Sequence, residues 1–114
     1  MISTHILDTA RGLPAPGVPV LLERLPPDGS SSLRREISRM VTDSDGRIRE
    51  LSPDSALGAG RYRLTFDTAA YFAELGVEAF YPEVAVVFVV RDATQHYHVP
   101  LLLSPYGYST YRGT

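Results

Sequence analysis

The sequence predicts an all-β protein, an antiparallel β-sandwich carrying one short helix, and three observations support this. Short β-like runs recur between turn signals at sandwich spacing. Residues 61–67 alternate Tyr62, Leu64 and Phe66 against Arg61, Arg63 and Thr65, the period of two that marks a half-buried strand. Only residues 68–76 read as helix. At 114 residues and 44% hydrophobic content the chain can build one core, so a single domain over residues 1–114 is expected, small enough to gain from a partner surface.

The elements run in order along the chain. Residues 4–8 form a first strand, which leads through Arg11-Gly12-Leu13-Pro14-Ala15-Pro16-Gly17 into a second over 18–24, where Val18, Val20 and Leu22 alternate with mixed neighbours. Residues 26–32, Pro-Pro-Asp-Gly and three serines, are a loop by composition. Residues 36–42 read as a strand closed by the Asp43-Ser44-Asp45-Gly46 turn. Residues 47–51 are short and extended, and 58–60 break the chain again. In the helical segment Thr68 can cap, Ala69 and Ala70 favour helix, and Gly76 can end it. Residues 83–90 are a nearly continuous apolar, β-branched run, and 95–103 with 106–112 form a terminal hairpin across Ser104-Pro105. That makes seven or eight strands. There is no internal repeat, P-loop, Rossmann glycine fingerprint or nucleophile elbow.

A formal net charge of −2 with acids and bases interspersed leaves no electrostatic footprint for nucleic acid or an anionic membrane, so neither is an expected partner. Apart from histidine, every basic residue is arginine. Anion recognition is one reading of that bias and genomic base composition the plainer one. The absence of cysteine excludes disulfides, thiol nucleophiles and thiolate metal sites, and fits a reducing compartment. The start, Met1-Ile2-Ser3-Thr4-His5, lacks the features of a secretory signal, and no stretch approaches the roughly 18 apolar residues of a membrane span. A soluble, cytoplasmic protein is expected.

Histidines are the side chains best suited to acid–base work near neutrality. His5 falls in the first strand. His96 and His98, two apart, project from one strand face, with Tyr97 and Val99 on the other. Such a pair is also a metal geometry that His5 could complete, although no acidic or cysteine ligand is placed by motif to support it. Rings simply hydrogen-bonded on a sheet face are the plainer alternative. Arg47 comes directly after the Asp-Gly turn, which makes it either a fork-like donor to a carbonyl or oxyanion, or a solvated turn arginine. Of Tyr106, Tyr108 and Tyr111, the last shares a face with Ser109 and Gly113, and Gly113 leaves room for another molecule to approach; packing is the commoner use of such aromatics. An end that reads Tyr111-Arg112-Gly113-Thr114 points to a packed terminus that forms part of a site, against the usual frayed one.

Several separated motifs together resemble the 5-hydroxyisourate hydrolases, the enzymatic branch of the transthyretin-like family. They are Thr4-His5-Ile6-Leu7-Asp8 with Gly12-Leu13-Pro14-Ala15; Thr42-Asp43-Ser44-Asp45-Gly46-Arg47; Tyr71-Phe72 with Phe80-Tyr81-Pro82-Glu83-Val84; His96-Tyr97-His98-Val99-Pro100-Leu101-Leu102-Leu103-Ser104-Pro105; and Tyr106-Gly107-Tyr108-Ser109-Thr110-Tyr111-Arg112-Gly113. The ending discriminates, because the hydrolases close on Tyr-Arg-Gly-Ser whereas the hormone-carrying transthyretins lack both histidines and that tetrapeptide. The resemblance implies two four-stranded antiparallel sheets with a short helix, assembled as a homotetramer, a dimer of dimers whose central channel holds the sites. It implies His5, Arg47 and His98 as catalytic residues, His5, Arg47, Tyr111 and Thr114 as substrate-binding residues, and hydrolysis of 5-hydroxyisourate with neither cofactor nor metal. His96 is part of the motif but receives no role. Thr114 stands where the family usually has serine; the hydroxyl survives and a methyl is added. The alternatives from other classes are a transthyretin-like small-molecule carrier without catalysis and a β-sandwich assembly module.

Overall fold

A computed structural model of the chain describes residues 1–28, 33–52 and 57–114. Among the described residues nine strands and one helix run in chain order: β1 (Ile2–Asp8), β2 (Leu13–Pro14), β3 (Pro19–Leu25), β4 (Arg35–Val41), β5 (Arg47–Ile48), β6 (Gly60–Phe66), α1 (Thr68–Glu74), β7 (Val84–Val90), β8 (Tyr97–Ser104) and β9 (Gly107–Thr110). One sheet runs β2-β1-β8-β9 with β5 also on β1; the other runs β4-β3-β6-β7. The expected all-β sandwich with one helix is therefore the observed architecture, with two additions. The two-residue strands β2 and β5 share one edge of β1, making that sheet five-stranded. β1 and β8 pair in parallel, which nearly the whole intervening chain makes reachable as a crossover.

Alternation places the core. From β1, Ile2, Thr4, Ile6 and Asp8 turn inward, and they meet Val20 and Leu22 of β3 and Tyr62, Leu64 and Phe66 of β6 between the sheets. The odd residues of β1, Ser3, His5 and Leu7, consequently lie on the opposite, outer face. In β8 Tyr97, Val99, Leu101 and Leu103 are core, so His98 shares the outer face with Leu102.

The helix departs from its expected start. Asp67, not Thr68, is the N-cap: at φ −81° and ψ 76° it is outside the helical region, and its carboxylate accepts from the Ala70 N–H at 3.1 Å. Thr68 is the first helical residue instead, with a buried hydroxyl that has no partner among the described residues. Gly76, at φ 68°, closes the helix as expected: its N–H donates to Ala73 O and that of Val77 to Phe72 O, a Schellman ending. Asp8 staples this helix to β1, with Oδ2 accepting from Tyr71 Oη at 2.7 Å and Oδ1 from the Ala10 and Arg11 N–H groups. The terminal hairpin turns at Pro105-Tyr106, one residue later than expected, with Ser104 facing Gly107. Of the loop expected at 26–32, residues 29–32 lie outside the described residues.

Candidate active site

The turn at 43–46 decides where Arg47 goes. Asp43 Oδ1 accepts from the Asp45 and Arg47 N–H groups at 2.9 and 3.0 Å, and Oδ2 accepts from Arg49 at 2.8 Å; these donors, the Arg47 N–H foremost, hold its carboxyl below the usual carboxylate range. Gly46 has φ 74°, and a Cβ there would lie 2.5 Å from the Ile6 carbonyl, so only glycine lets the turn close this tightly on β1. Gly46 O then accepts from the Ile6 N–H at 2.8 Å. The result is register: Arg47 of β5 sits directly opposite His5 of β1.

Pairing with β8 brings the third group. Ser3 stands beside His98, and His5 beside Pro100, two positions along on the same face. The tail then returns. In the register of the β8–β9 ladder, Gly113 bridges to His98, donating its N–H to His98 O at 2.8 Å. A Cβ at Gly113 would lie 2.6 Å from His98 Cδ2, so the absent side chain is what the ring occupies. Arg112 clamps the tail: its guanidinium lies 4.4 Å over the Tyr97 ring and donates to Gln95 Oε1 at 3.1 Å.

The cleft above these strands has a volume of about 310 Å3 and is lined by Ser3, Arg47, Arg49, His96, His98 and Thr114 among others. His5 is not among its lining residues; it stands opposite Arg47 in the β1–β5 register. Two arginines line the cleft, and they differ. Arg49 is neutralised by Asp43 at 2.8 Å, whereas Arg47, half-buried, makes no ion pair or side-chain hydrogen bond among the described residues. Burial first, and then the Arg47 charge, push the His98 imidazole below its ordinary value, with His96 and His5 adding to the effect. His5 is lowered by the same two causes, opposed by the Asp45 carbonyl and the Asp45 and Asp43 carboxylates. Both shifts bias the rings toward the neutral form, the one that accepts a proton.

The structure thus gathers His5, Arg47, His98 and Thr114, expected from the sequence, at one end of the outer sheet face. Tyr111 is elsewhere. It is 55% exposed and lines a larger groove of about 600 Å3 at the open side of the sandwich, with Val86, Phe88, Tyr97 and Arg112. That groove holds no histidine, so its size does not make it the site of acid–base chemistry. One residue escaped the sequence reading: Ser3, 5% exposed, whose Oγ lies 2.7 Å from His96 Nε2 and 2.8 Å from His98 Nδ1. Its signal was the Ser-x-His spacing, which puts it on the face of His5. Among the described residues no three His, Cys, Asp or Glu side chains are grouped to hold a metal, and both imidazoles of the His-x-His pair turn toward Ser3.

Fold and site together define a transthyretin-like β-sandwich with acid–base side chains on one outer sheet face. A family model described as HIUase/Transthyretin family matches residues 2–113. A curated 5-hydroxyisourate hydrolase of Salmonella dublin is 47% identical over 114 residues, covering 100% of this chain and 81% of the relative. The solved structure of Klebsiella pneumoniae 5-hydroxyisourate hydrolase superposes with a TM-score of 0.84 at 41% identity, over 99% of this chain and 98% of that one. Sea bream transthyretin in complex with thyroxine superposes with a TM-score of 0.88 at 34% identity, over 99% of this chain and 94% of that one. The chain belongs to the HIUase/transthyretin family. Overall shape does not distinguish the two, since the thyroxine-bound transthyretin superposes as well as the hydrolase.

Proposed function

We propose that this chain hydrolyses 5-hydroxyisourate, opening the six-membered ring to 2-oxo-4-hydroxy-4-carboxy-5-ureidoimidazoline in urate degradation. The relatives named 5-hydroxyisourate hydrolase support the substrate. The observation that carries the chemistry is an arginine with no side-chain partner among the described residues, set opposite one imidazole and beside a second, with both imidazoles biased toward the neutral form.

Amide hydrolysis needs a water deprotonated as it attacks, a carbonyl oxygen stabilised as it gains charge, and a departing nitrogen protonated. His98, with His5, activates the water and passes its proton to the ring nitrogen, each contribution worth about 10²- to 10⁴-fold. The planar fork of Arg47 polarises the carbonyl and holds the oxyanion that grows in the transition state. Thr114 offers a hydroxyl to the substrate from the tail, whereas Tyr111 faces the other groove of its own subunit and is proposed to touch substrate only in the assembled tetramer. No step calls for a cofactor, so exhaustive chelation is expected to leave the rate unchanged; loss with EDTA and recovery with zinc would restore the His-x-His metal reading.

The assembly is proposed as a homotetramer, a dimer of dimers, acting in the cytoplasm. β7 and β9 are edge strands of their sheets, and Val87 and Val89 on the β7 edge are 54% and 42% exposed with no proline or charge within the strand to guard it. Such an edge is a template for pairing with another chain. A carrier of this shape would bind ligand without turning it over. The two are separated by generating 5-hydroxyisourate from urate in situ and following its ultraviolet decay: faster decay with protein supports hydrolysis, and unchanged decay with measurable binding supports carriage.

A further inference from the structure

Resting on the hydrolase reading, we propose that Ser3 and His96 are positioning residues that hold the His98 proton on Nδ1, leaving Nε2 as the lone pair that takes the proton of the attacking water. Ser3 Oγ lies 2.8 Å from His98 Nδ1 and 2.7 Å from His96 Nε2, and it has no third partner among the described residues. A hydroxyl carries one hydrogen. If Ser3, 5% exposed, accepted from both rings, that hydrogen would be buried unpaired, so it donates to one ring and accepts from the other. The two neutral rings are therefore set in opposition: where one turns a bare nitrogen to Ser3, the other turns an N–H.

The surroundings of the two rings choose the direction. Both line the cleft, but His96 is exposed and water satisfies either of its neutral forms, whereas His98 is half-buried. Ser3 occupies His98 Nδ1 and leaves Nε2 over. In a cleft shared with the Arg47 guanidinium, which makes no ion pair among the described residues, a lone pair at Nε2 is favoured over one more N–H. The same positive field lowers this imidazole. The ring face is set by the tail: the Gly113 N–H donates to His98 O at 2.8 Å, and a Cβ at Gly113 would stand 2.6 Å from His98 Cδ2. Turning the ring over would put Cδ2 against the Ser3 hydroxyl and break the 2.8 Å bond. In the reaction, Nε2 takes a proton from water and gives it to the departing nitrogen, and the His98 cation formed between these steps keeps its Nδ1–H on Ser3. No proton passes through Ser3, whose own hydrogen stays directed at His96 throughout. With the proton on Nε2 instead, His98 would be a donor and could not act as the base.

The polarity is set at residue 96, which is exposed, so variants there fold. Glutamine still offers an oxygen to the Ser3 hydroxyl, whereas lysine has only N–H donors and forces Ser3 to donate to His98 Nδ1. The test is a two-bond proton–nitrogen correlation spectrum of chain labelled with nitrogen-15 histidine, taken at about pH 8, where ordinary imidazoles are neutral, beside the decay of hydroxyisourate. His98 is expected to carry its proton on Nδ1 in the unaltered chain and in His96→Gln, and on Nε2 in His96→Lys. The kcat of His96→Lys is expected to lie about tenfold below that of His96→Gln with KM little changed. In a Ser3→Ala background the change to lysine is expected to leave the His98 proton where it was, since nothing then transmits it. A proton on Nε2 in the unaltered chain, one that stays on Nδ1 in His96→Lys, or a response to lysine without Ser3 overturns the proposal while the hydrolase reading stands. No turnover by the unaltered chain overturns that reading instead, and the spectrum still reads the tautomer.

Discussion

Arg47 shows how one side chain is made available. Its neighbour Arg49 absorbs Asp43, the Gly46 turn sets it across from His5, and nothing among the described residues consumes its donors. Arg47→Ala is expected to lower kcat by about 10²-fold or more, with poor rescue by Arg47→Lys, because an ammonium cannot reproduce a planar fork. The same substitution has a signed effect on pH dependence. Arg47 lowers both imidazoles, so removing it raises both, and the acid limb of kcat/KM, set by protonation of the neutral bases, moves to higher pH. A pH–rate profile reads this directly; an unmoved limb would separate Arg47 from the histidines. Gly113→Ala tests the other contact with His98: pushing the ring by about 1 Å is expected to cost near 10²-fold in kcat with little change in folding. Several of the candidate site residues were legible because the His-x-His spacing puts His96 and His98 on one face, and an Asp-Gly turn aims the residue directly after it. Ser3 was not legible, because its partners lie more than ninety residues away, His98 on β8 and His96 just before it, and only the β1–β8 pairing shows it between two rings.

Among the elements, β6 was readable in full because it is half-buried, and its apolar period of two shows in the sequence. β7 read as a uniformly apolar run for a different reason: it is an edge strand whose outward residues are also apolar, so no alternation marks which side is core. β2 was beyond local reading, since a two-residue strand exists only through its pairing partner, whereas β5 falls inside the 47–51 stretch read as extended, of which only Arg47–Ile48 pairs. The cap assignment turned on one residue: both Asp67 and Thr68 are capping types, and backbone geometry chose the aspartate. Asp67→Ala is expected to cost about 1 kcal/mol in chemical denaturation and to leave kcat unchanged, the helix being remote from the cleft. Gly46→Ala should do more, since it meets both a positive φ and the Ile6 carbonyl. A fall in Tm of about 4 °C or more, with loss of activity as Arg47 leaves register, is the expected result of thermal unfolding and assay together.

At the scale of the whole molecule, the two lowered imidazoles tie stability to pH. A folded value below the unfolded one means the unfolded chain binds more protons, so their contribution is complete above about pH 6.5 and is lost as pH falls toward the folded values. Thermal unfolding across that window is expected to show Tm falling with pH, and less steeply in a His5→Ala, His98→Ala double variant. The open edges at β7 and β9 predict association: Val87→Lys with Val89→Lys should shift light scattering toward smaller species, and an unchanged mass would place the interface elsewhere. The fold positions three side chains from three strands; only their joint chemistry separates a hydrolase from a carrier built on the same sandwich. The most direct measurement is therefore the decay of 5-hydroxyisourate with the His98→Ala chain beside the unaltered one. A kcat lowered by about 10²-fold or more with folding preserved is the predicted result, and a near-normal rate would contradict this mechanism by removing its central residue.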